Sequence, residues 1–182
     1  SALQTIHVCS LTTEALDPGT GTHTGNASGD EAHIVDTVRY TNLTPGLRYS
    51  LEAVLMDKES GEEILCEGSH VTASSSFVPQ QRSGSWAISF TVPSEILSGK
   101  SVVVFEKLYQ DGTFIGAHED IDDAEQTITY VSIDTSARES VSGGRAYQAG
   151  KEITIIDTVS YEGLDTSSLY MIRTRLYDRT AG

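Results

Sequence analysis

Polar and apolar residues alternate along most of the chain, with the period of two that is typical of β-strands with one buried face. Turn signals such as Asp17-Pro18-Gly19, Thr44-Pro45-Gly46 and Asp111-Gly112 separate these runs. One helical turn is predicted, at Pro93–Leu97. Eight strands are predicted: His7–Ala15, Ala32–Tyr40, Tyr49–Met56, His70–Phe77, Ser85–Val92, Ser101–Tyr109, Thr113–His118 and Gln126–Ile133. This pattern predicts an all-β chain folded as a two-sheet antiparallel β-sandwich.

An internal repeat divides the chain. Residues 34–43 return as residues 155–164 at an offset of 121, with Ile, Asp, Thr, Val, Tyr and Leu in register. Two further pairs of segments repeat at offsets of 121 and 122, respectively: Leu55–Gly61 with Leu176–Gly182, and Leu11–Ala15 with Ile133–Ala137. Matched blocks at nearly one offset indicate tandem domains. We predict a complete domain over residues 1–131 and the N-terminal part of a second, similar domain over 132–182, so that the second copy is truncated.

The charge balance narrows the classes of partner. The 182 residues carry 12 Lys and Arg against 26 Asp and Glu, a formal net charge of −14. Nucleic-acid binding needs clustered cations, so nucleic acid is not an expected partner.

No apolar run approaches the ~20 residues that span a bilayer, so no membrane insertion is expected in this segment, and a signal or anchor is expected outside it. Cys9 and Cys66 are interpreted as buried thiols, with a bridge between them left open.

Three polar side chains are predicted to point into the sandwich. The period of two places Thr13 on one face with Leu11 and Ala15. Asp36 shares a face with Ile34 and Val38, and Glu106 shares one with Val104 and Leu108. Buried carboxylates are costly unless they are protonated, paired or hydrogen-bonded. Two that share one site tend to hold one proton, which makes one of them an acid at neutral pH.

Other motifs favour structural interpretations. The acidic stretch His118–Thr127 lacks the glycine and closing glutamate of an EF-hand calcium loop, so no metal is expected there. The glycine-rich residues 19–29 lack the Lys-Ser/Thr ending of a phosphate loop and are predicted to form a flexible hairpin loop. Trp86 lies in an alternating strand and is predicted to be part of the core.

Together, four motifs carry a family resemblance over essentially all of residues 7–131 and into the partial copy. They are Asp36-Thr37-Val38-x-Tyr40-x-Asn42-Leu43-x-Pro45-Gly46, Leu55-Met56-Asp57-Lys58, Val103-Val104-Phe105-Glu106 and His118-x-Asp120-x-x-Asp123-x-x-Gln126-Thr127. The chain resembles the VaFE-type repeats of Gram-positive surface adhesins. The resemblance implies an Ig-like fold in which a threonine of the first strand and a glutamine of the last form an intramolecular ester bond.

The resemblance also implies the role of each site residue. Thr13 is expected to be the nucleophile and Gln126 the electrophile, with Asp36 and Glu106 as the acid pair and His118 as an assisting residue. Thr12 is the rival nucleophile, because the Thr12-Thr13 pair blurs the register. Thr13 is preferred because of its facing and because it matches Thr135.

The partial copy is expected to have no ester of its own. It keeps Thr135 and Asp157 but has no counterpart of Glu106, His118 or Gln126. We expect it to expose strand edges and an apolar face.

The resulting hypothesis is a structural stalk repeat of a secreted, cell-wall-anchored bacterial adhesin. It would be stapled by one autocatalytic reaction rather than by enzymatic turnover, and it would need no cofactor. Its expected partners are neighbouring repeats of the same protein, with a host-surface ligand bound through other domains. One alternative is an Ig-like module that binds host protein or glycan through its loops. A glycosidase that uses Asp36 and Glu106 is a third hypothesis, but inward strand positions imply a closed site rather than an open cleft.

Overall fold

The computed structural model describes residues 8–27, 29–146, 152–164 and 166–177. Within these ranges the chain forms β-strands joined by turns and loops, with one 3-10 turn at Ser94–Ile96. The strands are β1 (Ser10–Leu16), β2 (Thr24–Gly25), β3 (Glu31–Thr41), β4 (Tyr49–Asp57), β5 (Leu65–Cys66), β6 (Ser69–His70), β7 (Thr72–Phe77), β8 (Gly84–Pro93), β9 (Ser101–Gln110), β10 (Thr113–His118), β11 (Thr127–Tyr130), β12 (Ser132–Glu139) and β13 (Ile155–Glu162). This confirms the all-β class.

Two sheets build the first domain. One has the order β1-β3-β8, and the larger one has the order β2-β11-β9-β4-β7, with β10 also paired to β9. All of these pairings are antiparallel except that of β2 with β11, which is parallel. Strand β1 therefore lies in one sheet and β11 lies in the other.

The core lies between the inner faces of these sheets, because alternate residues of each strand point inward. In β3 the buried positions recur at every second residue from Ala32 to Tyr40. The fully buried apolar side chains include Ile34, Leu51, Leu55, Leu108, Ile128 and Tyr130. Three carboxyl or amide side chains, those of Asp36, Glu106 and Gln126, are buried among them.

The strand ends depart from prediction where the chain changes sheet or direction. The predicted strand His70–Phe77 is divided at Val71, and the predicted strand Gln126–Ile133 is divided between β11 and β12. Consequently Gln126 precedes β11 rather than opening it. The predicted start of the first strand, His7, and the repeat residues 178–182 lie outside the described residues.

The glycine-rich segment turns back at an antiparallel bridge between Asp17 and Thr22, as the predicted hairpin loop requires, and its flexibility stays a prediction. The buried Asp17 carboxylate accepts hydrogen bonds from within this segment, and β2 pairs with β11.

One side-chain prediction for the first domain is wrong. Trp86 was predicted to be core, yet it is 38% exposed. The reason is that β8 is an edge strand, and Trp86 covers the sandwich edge by stacking on Phe77, with ring centroids 5.0 Å apart.

Cys9 and Cys66 are free thiols and are partly rather than fully buried. No bridge joins them in the described structure, which answers the question that the sequence left open. Cys9 Sγ lies 3.8 Å from the Ile115 carbonyl oxygen.

The second repeat is a two-stranded ladder in the described residues. β12 pairs antiparallel with β13, with Thr135 opposite Val159 and Ala137 opposite Asp157. The first domain has the same register, with Thr13 opposite Val38 and Ala15 opposite Asp36. Large apolar side chains of this region are exposed, including Ile133, Met171, Ile172 and Leu176, as expected for a sandwich half. The division into domains at residue 131 stays a prediction.

Candidate functional site

Four polar side chains converge between the two sheets. Thr13 on β1 is 6% exposed, and Asp36 on β3, Glu106 on β9 and Gln126 before β11 are fully buried. The inward facing of Thr13, Asp36 and Glu106 predicted from the period of two is confirmed. Thr12 is exposed, so the register favours Thr13 as the inward threonine of the pair.

Backbone pairing places these residues at one level of the sandwich. Ala15 lies opposite Asp36 across β1 and β3, and its N–H donates to the Glu125 carbonyl at 2.8 Å. The main-chain carbonyl of Gln126 accepts a hydrogen bond from the Val104 N–H at 3.2 Å. Val104 lies two residues before Glu106 on β9. Gln126 therefore lies at the gap between β10 and β11 along the edge of β9, where it bridges the two sheets.

One hydrogen bond joins the electrophile candidate to the acid pair. Gln126 Nε2 donates to Asp36 Oδ1 at 3.1 Å, between two fully buried side chains. This bond fixes the rotation of the carboxamide, because only its nitrogen can donate to a carboxylate. The carbonyl oxygen, Oε1, must then point away from Asp36.

The two buried carboxyl groups hold a proton at neutral pH. The pKa of Glu106 is raised to about 11, mainly because the group is buried. The hydrogen bond with Asp36 and the negative charge of Asp36 raise it further. Burial also raises the pKa of Asp36, against the opposing effects of its contacts with Glu106 and Gln126. Glu106 is thus the neutral acid of the pair, and the folded charge is about one unit less negative than the formal −14.

His118 is placed beside this pair but reaches outward. It lies opposite Glu106 in the β9–β10 ladder, and its Nε2 is 2.7 Å from Asp123 Oδ2. Partial desolvation raises the pKa of Asp123, but hydrogen bonds from the Glu125 N–H and from His118 together lower it by more. The pKa of Asp123 is therefore below its ordinary value. An ionised Asp123 orients the imidazole through this contact.

The site is rich in buried polar atoms without partners. Among the described residues, Thr13 Oγ1 and Gln126 Oε1 have no hydrogen-bonding partner. The oxygens of Glu106 have none either, apart from the proton that Glu106 shares with Asp36. Each unsatisfied buried group costs on the order of 1–3 kcal/mol, and such groups concentrate where chemistry takes place. A threonine hydroxyl, an amide carbonyl and a carboxylic acid in one buried site have the composition needed for acyl transfer.

A family model described as the T-Q ester bond containing domain matches residues 9–130 and, separately, residues 131–182. The chain belongs to this family. The match confirms the resemblance found in the sequence and assigns both repeats of the chain to T-Q ester bond domains.

The fold of these T-Q ester bond domains is that of a known adhesin. Two similar solved structures are two crystal forms of a bacterial adhesin from Mobiluncus mulieris containing intramolecular disulfide, isopeptide and ester bond cross-links. Each superimposes on this chain with a TM-score of 0.57, and the sequence identities are 14% and 15%. The match covers 87% of this chain and 75% of the adhesin chain. At this identity the similarity establishes the fold alone. No curated protein sequence matches significantly.

The second T-Q repeat carries half of the site. Thr135 and Asp157 occupy the ladder positions that Thr13 and Asp36 occupy in the first repeat. In the described residues of the second repeat both are exposed, because no second sheet covers β12 and β13.

Two residues near the site of the first T-Q domain were not given roles from the sequence. Asp123 appeared in the family motif, but only the structure shows that it binds His118. Asp17 belongs to a predicted turn, but nothing in the sequence indicates its burial, because its three backbone partners follow from the path of the loop. The described residues contain no group of three or more His, Cys, Asp or Glu side chains arranged for a metal ion. Nor do they include a helix with the length and hydrophobicity to cross a membrane.

Proposed function

We propose that Thr13 and Gln126 form an intramolecular ester bond that staples the first and last strands of the domain. The observation that carries this proposal is the buried Gln126–Asp36 hydrogen bond in a site where the Thr13 hydroxyl has no partner among the described residues. Membership of the T-Q ester bond family supports it.

The reaction balances as an acyl transfer. Thr13 Oγ1 attacks Cδ of Gln126, a C–O bond forms, and the carbonyl oxygen becomes an oxyanion. The C–N bond then breaks, and the Gln126 nitrogen leaves as ammonia with the proton given up by the threonine hydroxyl. The products are one ester and one ammonia for each domain, so the reaction takes place once and is not turnover.

Each neighbouring group has a role in this scheme. Neutral Glu106 donates a hydrogen bond to the developing oxyanion, because its raised pKa keeps it protonated at neutral pH. Ionised Asp36 holds the amide nitrogen and so presents the carbonyl. His118, oriented by Asp123, accepts the hydroxyl proton and passes it to the leaving nitrogen.

The enclosed site accounts for an ester that persists. Ammonia escapes as a dilute, protonated product, whereas the two reacting side chains stay together in the core. Burial of Asp36, Glu106 and Gln126 excludes the water that would hydrolyse the product.

We further propose that the chain is a structural repeat of a bacterial surface adhesin, as its structural neighbours suggest. A cross-link from β1 to the residue before β11 would carry force applied to the chain ends, and it would resist proteolysis by suppressing unfolding. In this proposal the protein is exported and anchored to a Gram-positive cell wall, and its partners are adjacent repeats.

Intact mass spectrometry tests the ester directly. The purified chain should be lighter than its sequence mass by one ammonia, and hydroxylamine, which cleaves esters, should open the link once the chain is unfolded in denaturant. The matched control is Gln126→Glu, which keeps the size of the side chain but has no nitrogen to lose. A wild-type chain at its full sequence mass would rule out the cross-link.

A further inference from the structure

Residues 17–27, which we call the clasp, follow β1 directly and form an ordered structure that the ester mechanism does not use. Asp17 is 3% exposed, and its carboxylate accepts hydrogen bonds from three backbone N–H groups of the clasp. The distances are 2.7 Å to Gly19, 3.2 Å to Thr20 and 2.6 Å to Asn26. A single carboxylate therefore holds both ends of the segment, and such charge-assisted bonds are the stronger kind.

The clasp also binds the strand that follows Gln126. β2 within the clasp pairs in parallel with β11, with Thr24 opposite Thr129 and Gly25 opposite Tyr130. The Thr129 N–H donates to the His23 carbonyl at 2.9 Å. On the other side of Gln126, His23 Nε2 lies 3.9 Å from a carboxylate oxygen of Glu125. The clasp thus contacts the chain on both sides of the candidate electrophile.

The fit between the clasp and β11 requires a glycine. A Cβ atom at position 25 would overlap the ring of Tyr130, which is fully buried. The absence of a side chain at Gly25 lets β2 approach β11 closely enough to pair with it. The glycine-rich composition of this segment is explained by this contact and needs no phosphate ligand.

These contacts connect two strands that belong to different sheets. Thr13 lies on β1 in the β1-β3-β8 sheet, and Gln126 adjoins β11 in the larger sheet. The clasp is covalently continuous with β1 and hydrogen-bonded to β11. It therefore fixes the separation of the two sheets at the place where the reacting atoms must meet.

We propose that the clasp positions Gln126 for attack by Thr13, with Asp17 as the positioning residue that sets its shape. This inference rests on the proposed ester bond. A misplacement of about 1 Å can cost on the order of 10²-fold in rate, because acyl transfer requires the reacting atoms in near-attack geometry. Asp17→Asn replaces the carboxylate by an amide that has one acceptor oxygen and no charge, so we expect ester formation to slow by about 10- to 100-fold.

The experiment follows ester formation over time. The chain is made by cell-free synthesis, translation is stopped, and intact mass gives the fraction that has lost ammonia at each time. Asp17→Asn and Gly25→Ala are compared with Glu139→Gln. Glu139 also accepts backbone N–H groups in a turn, but this turn lies in the second repeat. We expect the two clasp variants to be slow and Glu139→Gln to match the wild type.

A second measurement separates positioning from simple loss of fold. Asp17→Asn is combined with Gln126→Glu, which cannot react, and its folding is followed by circular dichroism at the temperature of the rate measurement. A fully folded double variant together with a slow Asp17→Asn single variant supports positioning. Wild-type rates in both clasp variants, or slowing that equals their unfolded fraction, would overturn the inference. A wild-type chain that never loses ammonia would instead refute the ester itself.

Discussion

Replacement of Thr13 by valine isolates the energetic effect of the proposed cross-link. Valine has nearly the shape of threonine but has no nucleophile, so no ester can form. The lost hydroxyl has no partner among the described residues, so no hydrogen bond is broken in the unlinked fold. The stability difference between the two proteins therefore reports mainly on the covalent link.

The size of the effect follows from the length of chain that the link encloses. The loop from residue 13 to residue 126 holds 114 residues. The chain-entropy relation used for disulfides gives about 5 kcal/mol at 25 °C for a loop of this size. In the linked wild type the Thr13 oxygen is part of the ester, so no free hydroxyl offsets this loss. For a domain of ~120 residues, a loss of about 5 kcal/mol lowers the melting temperature by about 20 °C.

Differential scanning calorimetry measures this change, with intact mass recorded on the same samples. The matched control is Thr12→Val, which alters the exposed neighbour and should keep both the mass deficit and the melting temperature. If Thr13→Val kept the mass deficit while Thr12→Val lost it, the nucleophile would be Thr12. If Thr13→Val lost the deficit but melted within about 3 °C of the wild type, the loop-entropy argument would be refuted.

Four further predictions concern the acid, the base and the second repeat. Glu106→Gln should slow ester formation by about 10²-fold in a mass time course, because the oxyanion loses its acidic donor. In the unlinked Thr13→Val protein, the raised pKa of Glu106 means that its contribution to stability is complete below its ordinary pKa and is lost as pH rises towards about 11. Addition of Glu106→Gln should therefore flatten the fall in melting temperature between about pH 5 and pH 9. His118→Ala should slow ester formation by about 10²-fold in the same mass time course, because the proposed base for the threonine hydroxyl is removed. Thr135→Val should leave the mass deficit at one ammonia, since the second repeat has no glutamine partner in this chain; loss of two ammonias from the wild type would contradict this.

The inward-facing residues were predictable because their signal is local. A period of two decides which side chains of a strand share a face, and it placed Thr13, Asp36 and Glu106 correctly. The repeat added a second, independent copy of the threonine and the aspartate. Gln126 could not be placed in this way, since it lies in a gap between strands and its position depends on pairing with β1 and β9.

The clasp and the exposure of Trp86 could not be predicted because they depend on distant parts of the chain. Gly25 is required by Tyr130, which lies more than a hundred residues away in sequence. Alternation correctly put Trp86 in a strand, but it does not show that the strand is at an edge. Composition likewise gives no sign of the backbone hydrogen bonds that the buried Asp17 carboxylate accepts from residues 19–29.

Thr13 lies near the start of the domain's sequence and Gln126 near its end, and this has a consequence for how far the chain can extend under force. With the ester in place, residues 14–125 lie inside a closed ring, and a pull on the chain passes from residue 13 to residue 126 without entering it. These 112 residues would add about 380 Å of contour length if they could extend. The proposed ring would withhold that length at any force below rupture of a covalent bond, so each such domain would act as a link of constant size in a chain of repeats.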